Sequence, residues 1–388
     1  MSFSRAFAEG NNEVALALFR ESLDDRGNMF FSPFSVRTVL GMIGMGARGE
    51  TAAQINKVLL LSSSSETNQF ALADTIHRLN GSGGGKCEMA VSNSIWMQIG
   101  MSLQAEFMEI IDRFYRGSVN AVDFRHDAEV AAATINRWVE ETTRETLRAI
   151  VSSESLNPDT RMILVNAIYF KGLWEQPFPS SATRRESFYL DGGGQAEAEF
   201  MRQESYVGYL RGGGFQAVDL GYQGDSLSML LIVPDDRDGL RHLEATLSES
   251  VLRDCMAKMG RRKVELFLPK FRMAWSTSKL TTWLSKLGMP LAFGPTSADF
   301  SGINGHKPPH AEALFISNIF HKAVVEVNEK GTEAAAVTAA RFVTRSRERT
   351  PPPVPIVRAD HPFLFAIVDR YSDSILFFGR MADPTKES

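Results

Sequence analysis

Cysteine is almost missing from this chain: Cys87 and Cys255 are the only two in 388 residues, and they lie far apart. A disulfide framework is excluded, and two buried or free thiols are expected instead. Long apolar runs are lacking too. No stretch is long enough to span a bilayer, and the opening Met1-Ser2-Phe3-Ser4-Arg5-Ala6-Phe7 enters an amphipathic pattern without the apolar core of a signal peptide. An intracellular (cytoplasmic) protein with no membrane partner is expected, a secreted mature form being the alternative. There is no excess of charge of one sign either: 42 basic residues face 46 acidic ones, a formal net charge of −4. No nucleic-acid partner is expected on that ground. Neither an internal repeat nor a low-complexity linker is visible, so residues 1–388 read as a single domain.

With 44% hydrophobic residues the chain can bury one large core. Helical apolar spacing marks 14–23, a buried run covers 40–45, and Thr51 reads as the cap of a further helix over 51–55. Residues 65–79 and 128–147 are also helix candidates; between them lie a glycine-rich connection at 80–85 and an alternating strand at 89–97. After 162 the balance shifts to short apolar strands, at 163–170, 227–233, 264–268, 323–327, 363–368 and 375–378, with helices at 240–259 and 278–287 between them. Helices first and strands later imply an α+β fold with a large mixed sheet.

Signals for catalysis are weak. His306 and His310 have a metal-ligand spacing, but Pro308 and Pro309 between them forbid the helix that would align the rings, so neither metal nor cofactor is expected. Residues 81–86 resemble a phosphate loop only faintly, because Asn80 and Cys87 stand where such a loop needs glycine and Ser or Thr. No nucleophile elbow is present, and the chain is not read as an enzyme. Asn80-Gly81-Ser82 is a glycosylation sequon short enough to recur by chance. Lys258, Arg261, Arg262 and Lys263 form a short basic cluster, read as solvated surface, with contact to a sulfated polysaccharide or nucleic acid as the alternative.

The most informative stretch follows Glu329. Side chains alternate along a strand, and from Thr332 they separate into two sets. Thr332, Ala334, Ala336, Thr338 and Ala340 are small and uncharged, whereas Glu333, Ala335, Val337, Ala339 and Arg341 carry both charges and the one branched aliphatic. Such a segment can enter a sheet with its small face on the core. Composition alone leaves an exposed alanine-rich helix equally open. Gly331, a natural pivot, and the β-formers at 323–327 favour the strand.

Residues elsewhere carry a resemblance. Asn28-Met29-Phe30-Phe31-Ser32-Pro33-Phe34-Ser35-Val36, Gly46-Ala47-Arg48-Gly49-Glu50-Thr51, Leu164-Val165-Asn166-Ala167-Ile168-Tyr169-Phe170-Lys171-Gly172-Leu173-Trp174, Leu268-Pro269-Lys270-Phe271, His321-Lys322-Ala323 and Ala359-Asp360-His361-Pro362-Phe363 fall in one order. In that order they resemble the motifs of the serpin family, serine protease inhibitors, and are most similar to its intracellular, ovalbumin-like (clade B-like) members. The resemblance spans nearly the whole chain. It implies three β-sheets, about nine helices and an exposed reactive-centre loop over roughly 329–358. A protease attacks the loop, becomes an acyl-enzyme, and is trapped as the cut loop inserts into the central sheet, a strand addition that releases stored strain.

By resemblance the hinge is Glu329, Gly331, Thr332, Glu333, Ala334, Ala335 and Ala336, and the inserting segment is 331–344. The family's nearly fixed reach from the hinge glycine lands on Arg345, with Ser346 completing the scissile bond; Arg347 and Arg349 are alternative cleavage points, or else a solvated charge run or an exosite. Arginine suits a trypsin-like specificity pocket, whose carboxylate pairs with the guanidinium. The expected partner is thus a trypsin-like serine protease in covalent complex with a monomer. Ser32, Ser35, Asn166 and His321 correspond to the polar cluster that controls sheet opening; Trp174, grouped with them, would lie with Glu329 where the hinge enters. Thr350-Pro351-Pro352-Pro353-Val354-Pro355 makes the distal loop longer and more proline-rich than the common pattern. Glycosaminoglycan binding has little support, since 65–79 carries only Arg78 as a fixed positive charge. Glu145 stands where many relatives carry glycine and Gly221 where proline is usual, both expected to be local adjustments. The alternative function is a non-inhibitory serpin acting as ligand carrier or chaperone; the small hinge face argues against it.

Overall fold

Nine α-helices and fifteen strands form among the residues that the computed structural model describes: 3–61, 73, 75, 87–115, 117–143, 145, 147–224, 226–332 and 353–387. The strands are β1 (Met29–Phe31), β2 (Cys87–Gln98), β3 (Ser118–Val122), β4 (Met162–Leu173), β5 (Arg184–Tyr189), β6 (Gln195–Gly212), β7 (Phe215–Gly221), β8 (Leu227–Pro234), β9 (Gly260–Pro269), β10 (Phe271–Thr277), β11 (Ile316–Val327), β12 (Gly331–Thr332), β13 (Ile356–Arg358), β14 (Phe363–Asp369) and β15 (Ser374–Met381). They join into two hydrogen-bonded networks. One runs β10-β11-β4-β2-β3, with β12 on β4; the other runs β1-β15-β14-β8-β7-β6-β9-β13, with β5 on β6. Where the resemblance implies three sheets, the described ladders thus separate only two. The reason is β6, 18 residues long, which pairs with β5 at its start, β9 along its middle and β7 at its end.

β4 is the centre of the first network, and its near-continuous apolar sequence matches a strand covered on both faces. Met162, Leu164, Ile168 and Phe170 join the main core, while Ile163, Val165, Ala167 and Tyr169 join a second cluster with Ile135 and Val139 of the helix Ala128–Thr142. Its partner β11 runs parallel to it from Ile316 to Val324, opposite Met162 to Tyr169. The two strands meet nowhere above that.

Several expected elements shift for local reasons. The helix expected from Thr51 starts at Gly49; Thr51 is inside it, and its hydroxyl accepts a hydrogen bond from the Asp299 N–H at 3.0 Å instead of capping. The expected helix 240–259 is two, Leu240–Thr246 and Glu249–Lys258, because the Ser248 hydroxyl caps the second at the Val251 N–H. The one expected over 128–147 stops at Thr142. The expected elements at 65–79 and 80–85, the Asn80 sequon and the 81–86 stretch lie outside the described residues, apart from helical Ala73 and Thr75. Cys255 is a free buried thiol whose pKa burial pushes up to about 11; the Cys87 side chain lies outside the described residues.

Candidate functional site

The parallel seam between β4 and β11 is fastened from below by side chains. Register puts Asn93 of β2 beside Asn166 of β4, and Asn166 beside His321 of β11, so three polar residues line up across three neighbouring strands. Ser32 begins the helix Pro33–Gly44 beneath them, its hydroxyl accepting the Ser35 N–H at 3.1 Å and donating to the Leu376 carbonyl at 2.6 Å. The Ser32 N–H donates to His321 Nε2 at 3.2 Å. With Nε2 an acceptor, the ring proton sits on Nδ1 and is donated to Asn166 Oδ1. The Asn166 amide in turn donates to Ser35 Oγ and to Asn93 Oδ1. His321 is fully buried, and burial pushes its pKa down to about 3, so the ring is neutral. A closed network of this kind crosses the seam, and separating β4 from β11 breaks its His321 to Asn166 bond.

A second group stands at the other end of β4. After Val327 the chain turns through Asn328–Gly331, closed by Asn328 N–H to Gly331 O at 2.9 Å and Gly331 N–H to Asn328 O at 3.2 Å. It then enters beside β4 as β12, antiparallel, with Gly331 opposite Leu173 and Thr332 opposite Gly172. This is the part of β4 that β11 leaves unpaired. Gly331 has φ +145°, and a Cβ there would lie 2.1 Å from the Gly172 carbonyl oxygen, so only glycine fits. Trp174 is buried and stacked on Tyr222 at 4.6 Å, its indole N–H donating to the Asn328 carbonyl at 2.9 Å, while its backbone N–H donates to Lys330 O at 3.0 Å. Glu329 accepts from the Thr183 hydroxyl at 2.8 Å and pairs with Lys270 at 3.5 Å, which also meets Glu199 at 3.3 Å. Burial alone would raise the Glu329 carboxyl, but its own backbone N–H, Thr183 and Lys270 outweigh that and hold it below the usual range.

The expected cluster therefore divides. Ser32, Ser35, Asn166 and His321 meet; Trp174, just past the end of β4 and eight residues beyond Asn166, is about 26 Å away at strand rise and belongs with Glu329 and Gly331. Asn93, Thr183, Lys270 and Tyr222 complete the two groups and were not singled out from sequence as site residues. A polar triplet, Ser92-Asn93-Ser94, inside an otherwise apolar strand was the available signal for the first of them. The side chain of Thr332, together with Glu333, Ala334, Ala335, Ala336, Arg345, Ser346, Arg347 and Arg349, lies outside the described residues. The chain is described again from Pro353; the Pro355 carbonyl accepts the Glu265 N–H at 2.9 Å, and β13 pairs parallel to β9. In the basic cluster Lys258 meets Asp254 at 2.7 Å, Lys263 pairs with Glu204, and Arg262 donates to the Pro353 carbonyl at 3.2 Å. The cluster is largely spent on such partners.

The family model described as Serpin (serine protease inhibitor) matches residues 9–384. The chain is a serpin. Similar relatives include an uncharacterised serpin-like protein of Thermococcus kodakarensis, 36% identical over 96% of this serpin and 84% of that protein. Serpin B8 of Bos taurus is 34% identical over 98% of this chain and 100% of its own, and the human leukocyte elastase inhibitor 34% over 97% and 99%. Among solved structures, uncleaved ovalbumin matches with a TM-score of 0.86 at 27% identity, covering 97% of this chain and 100% of its own. Human thyroxine-binding globulin complexed with thyroxine matches with a TM-score of 0.88 at 28% identity, covering 99% and 100%. Serpins are in general protease inhibitors rather than catalysts. Among the described residues no helix is long and apolar enough to cross a membrane.

Proposed function

We propose that this serpin inhibits trypsin-like serine proteases as a suicide substrate: cut at Arg345–Ser346, it stays acylated to the protease while 331–344 inserts between β4 and β11. One observation carries the reading, the antiparallel pairing of Gly331 and Thr332 with Leu173 and Gly172 at the open end of the seam. Continued one residue at a time, that register runs the length of β4 and brings Phe342 opposite Met162, its first residue. A cut after Arg345 frees enough chain to reach that end. Cuts after Arg347 or Arg349 would leave two or four residues more. Continued so, the register would put Thr332, Ala334, Ala336, Thr338 and Ala340 on the side of β4 whose Leu164, Ile168 and Phe170 join the main core. From Thr332 to Ala340 that side would carry only small residues, Phe342 following at its far end, and Glu333 would fall opposite Lys171, an opposite-charge pair across the ladder.

The reading includes an intracellular monomer, supported by the likeness to Serpin B8 and the leukocyte elastase inhibitor. A second reading, a non-inhibitory carrier, is favoured by a cavity of about 490 Å³ whose lining includes Tyr206, Leu220, Leu230, Met256, Met259 and Arg370, and by the thyroxine-bound relative. Incubation with trypsin followed by denaturing electrophoresis separates the two. A covalent complex that Arg345→Ala abolishes is the expected result; rapid cleavage without a complex would favour the carrier.

A further inference from the structure

Pro308 and Pro309 do exclude a helix between His306 and His310, but the turn they belong to brings the rings together by another route. The imidazoles stack with centroids 3.9 Å apart and planes 9° from parallel, so the exposed His310 ring must swing out of the stack for both to bind one ion; Glu312 joins them, its Oε2 3.3 Å from His306 Nε2. One donor atom from each of the three can be chosen so that all lie within 4.8 Å of one another. Tetrahedral zinc with bonds of about 2.0–2.1 Å spaces its ligand atoms by about 3.3 Å, and the His306 to Glu312 distance already matches that edge. The turn is held from inside. Buried Asn304 accepts the His306 N–H at 3.1 Å and donates to the Glu312 carbonyl at 2.7 Å, so one side chain ties down the backbone of both outer ligands. Gly305, at φ +85°, makes the reversal that starts the turn. His310 accepts the exposed Glu312 N–H on Nδ1 at 3.1 Å. That lone pair is available to a metal once water takes over the amide.

We propose that His306, His310 and Glu312 form a site for a divalent transition metal of the Zn²⁺ class, with solvent in the remaining position, and that occupancy fastens the turn leading into β11. Two imidazoles and one carboxylate suit zinc, and select against the all-oxygen preference of magnesium and calcium. The site lies outside the loop and hinge, and the proposal does not depend on protease inhibition.

Calorimetric titration of the full-length chain, free of any histidine tag, with ZnCl₂ tests it. One saturable site is expected, weakened by about tenfold or more in each of His310→Ala and Glu312→Gln and unchanged in His126→Ala, which alters another exposed histidine beside a carboxylate, Asp123. Because His310 and Glu312 are exposed, both variants should fold, and unchanged unfolding midpoints without metal confirm it. Absence of saturable binding in the unaltered chain, or equal affinity in His310→Ala, would overturn the site.

Discussion

His321 holds its place at the seam by staying neutral. Burial drives its pKa from 6.5 to about 3, so between those values the folded chain binds fewer protons than the unfolded one. Its contribution is therefore fully present above about pH 6.5 and is lost as pH falls toward 3, at about 1.4 kcal/mol for each pH unit. Urea unfolding at pH 7.5 and pH 5.0 checks this. The midpoint of the unaltered chain should fall by more than that of His321→Gln, which cannot titrate there; equal falls would mean that the ring does not report on the seam. Apart from the resemblance, His321 reads from sequence as a satisfied core histidine, and in the fold it is fully buried with a hydrogen-bond partner on each ring nitrogen. What was not legible is its contact with Asn166, because that depends on the parallel register of two strands about 150 residues apart.

Along the chain, strands with a continuous apolar run or clear alternation were legible, and the long strand β6 was not. β4, β11, β14 and β15 have apolar cores that mark them, although each extends beyond the expected bounds. β6 alternates buried Ala198, Phe200 and Tyr209 with exposed glutamates and carries no continuous apolar run, so the strand that joins two sheets went unseen. Helix ends were hidden for a different reason: they are fixed by single caps such as Ser248 and Asp127 rather than by periodicity. The end of Ala128–Thr142 shows what such a position costs. Glu145, three residues beyond it, adopts φ +62° while its N–H donates to the Glu140 carbonyl at 2.8 Å, a terminating turn that glycine enters without strain. Glu145→Gly should therefore stabilise the fold by about 0.5–1 kcal/mol, the relief of the left-handed strain exceeding the added freedom of the unfolded chain. A higher urea midpoint is expected, and a lower one would show that the side chain matters more than the backbone.

Taken together, the seam, the two groups that bound it and the hinge at its open end describe a sheet with room for one more strand. Each new ladder hydrogen bond contributes about 1 kcal/mol net, and each loop residue ordered costs about 1–2 kcal/mol. These offset one another, so the proposed insertion would have to draw on strain released as the sheet took its extra strand. Such strain would belong to the assembled sheets and is not legible in any motif, whereas the small face of the hinge is. Trypsin challenge of the unaltered chain and of Thr332→Arg, followed by denaturing electrophoresis, tests the central claim most directly, since an arginine there would have to be buried beside Gly172 on the core side of β4. The account predicts a stable covalent complex for the unaltered chain, and cleavage at the same bond without a complex for Thr332→Arg. Stoichiometric complex formation by both would contradict insertion as the source of inhibition.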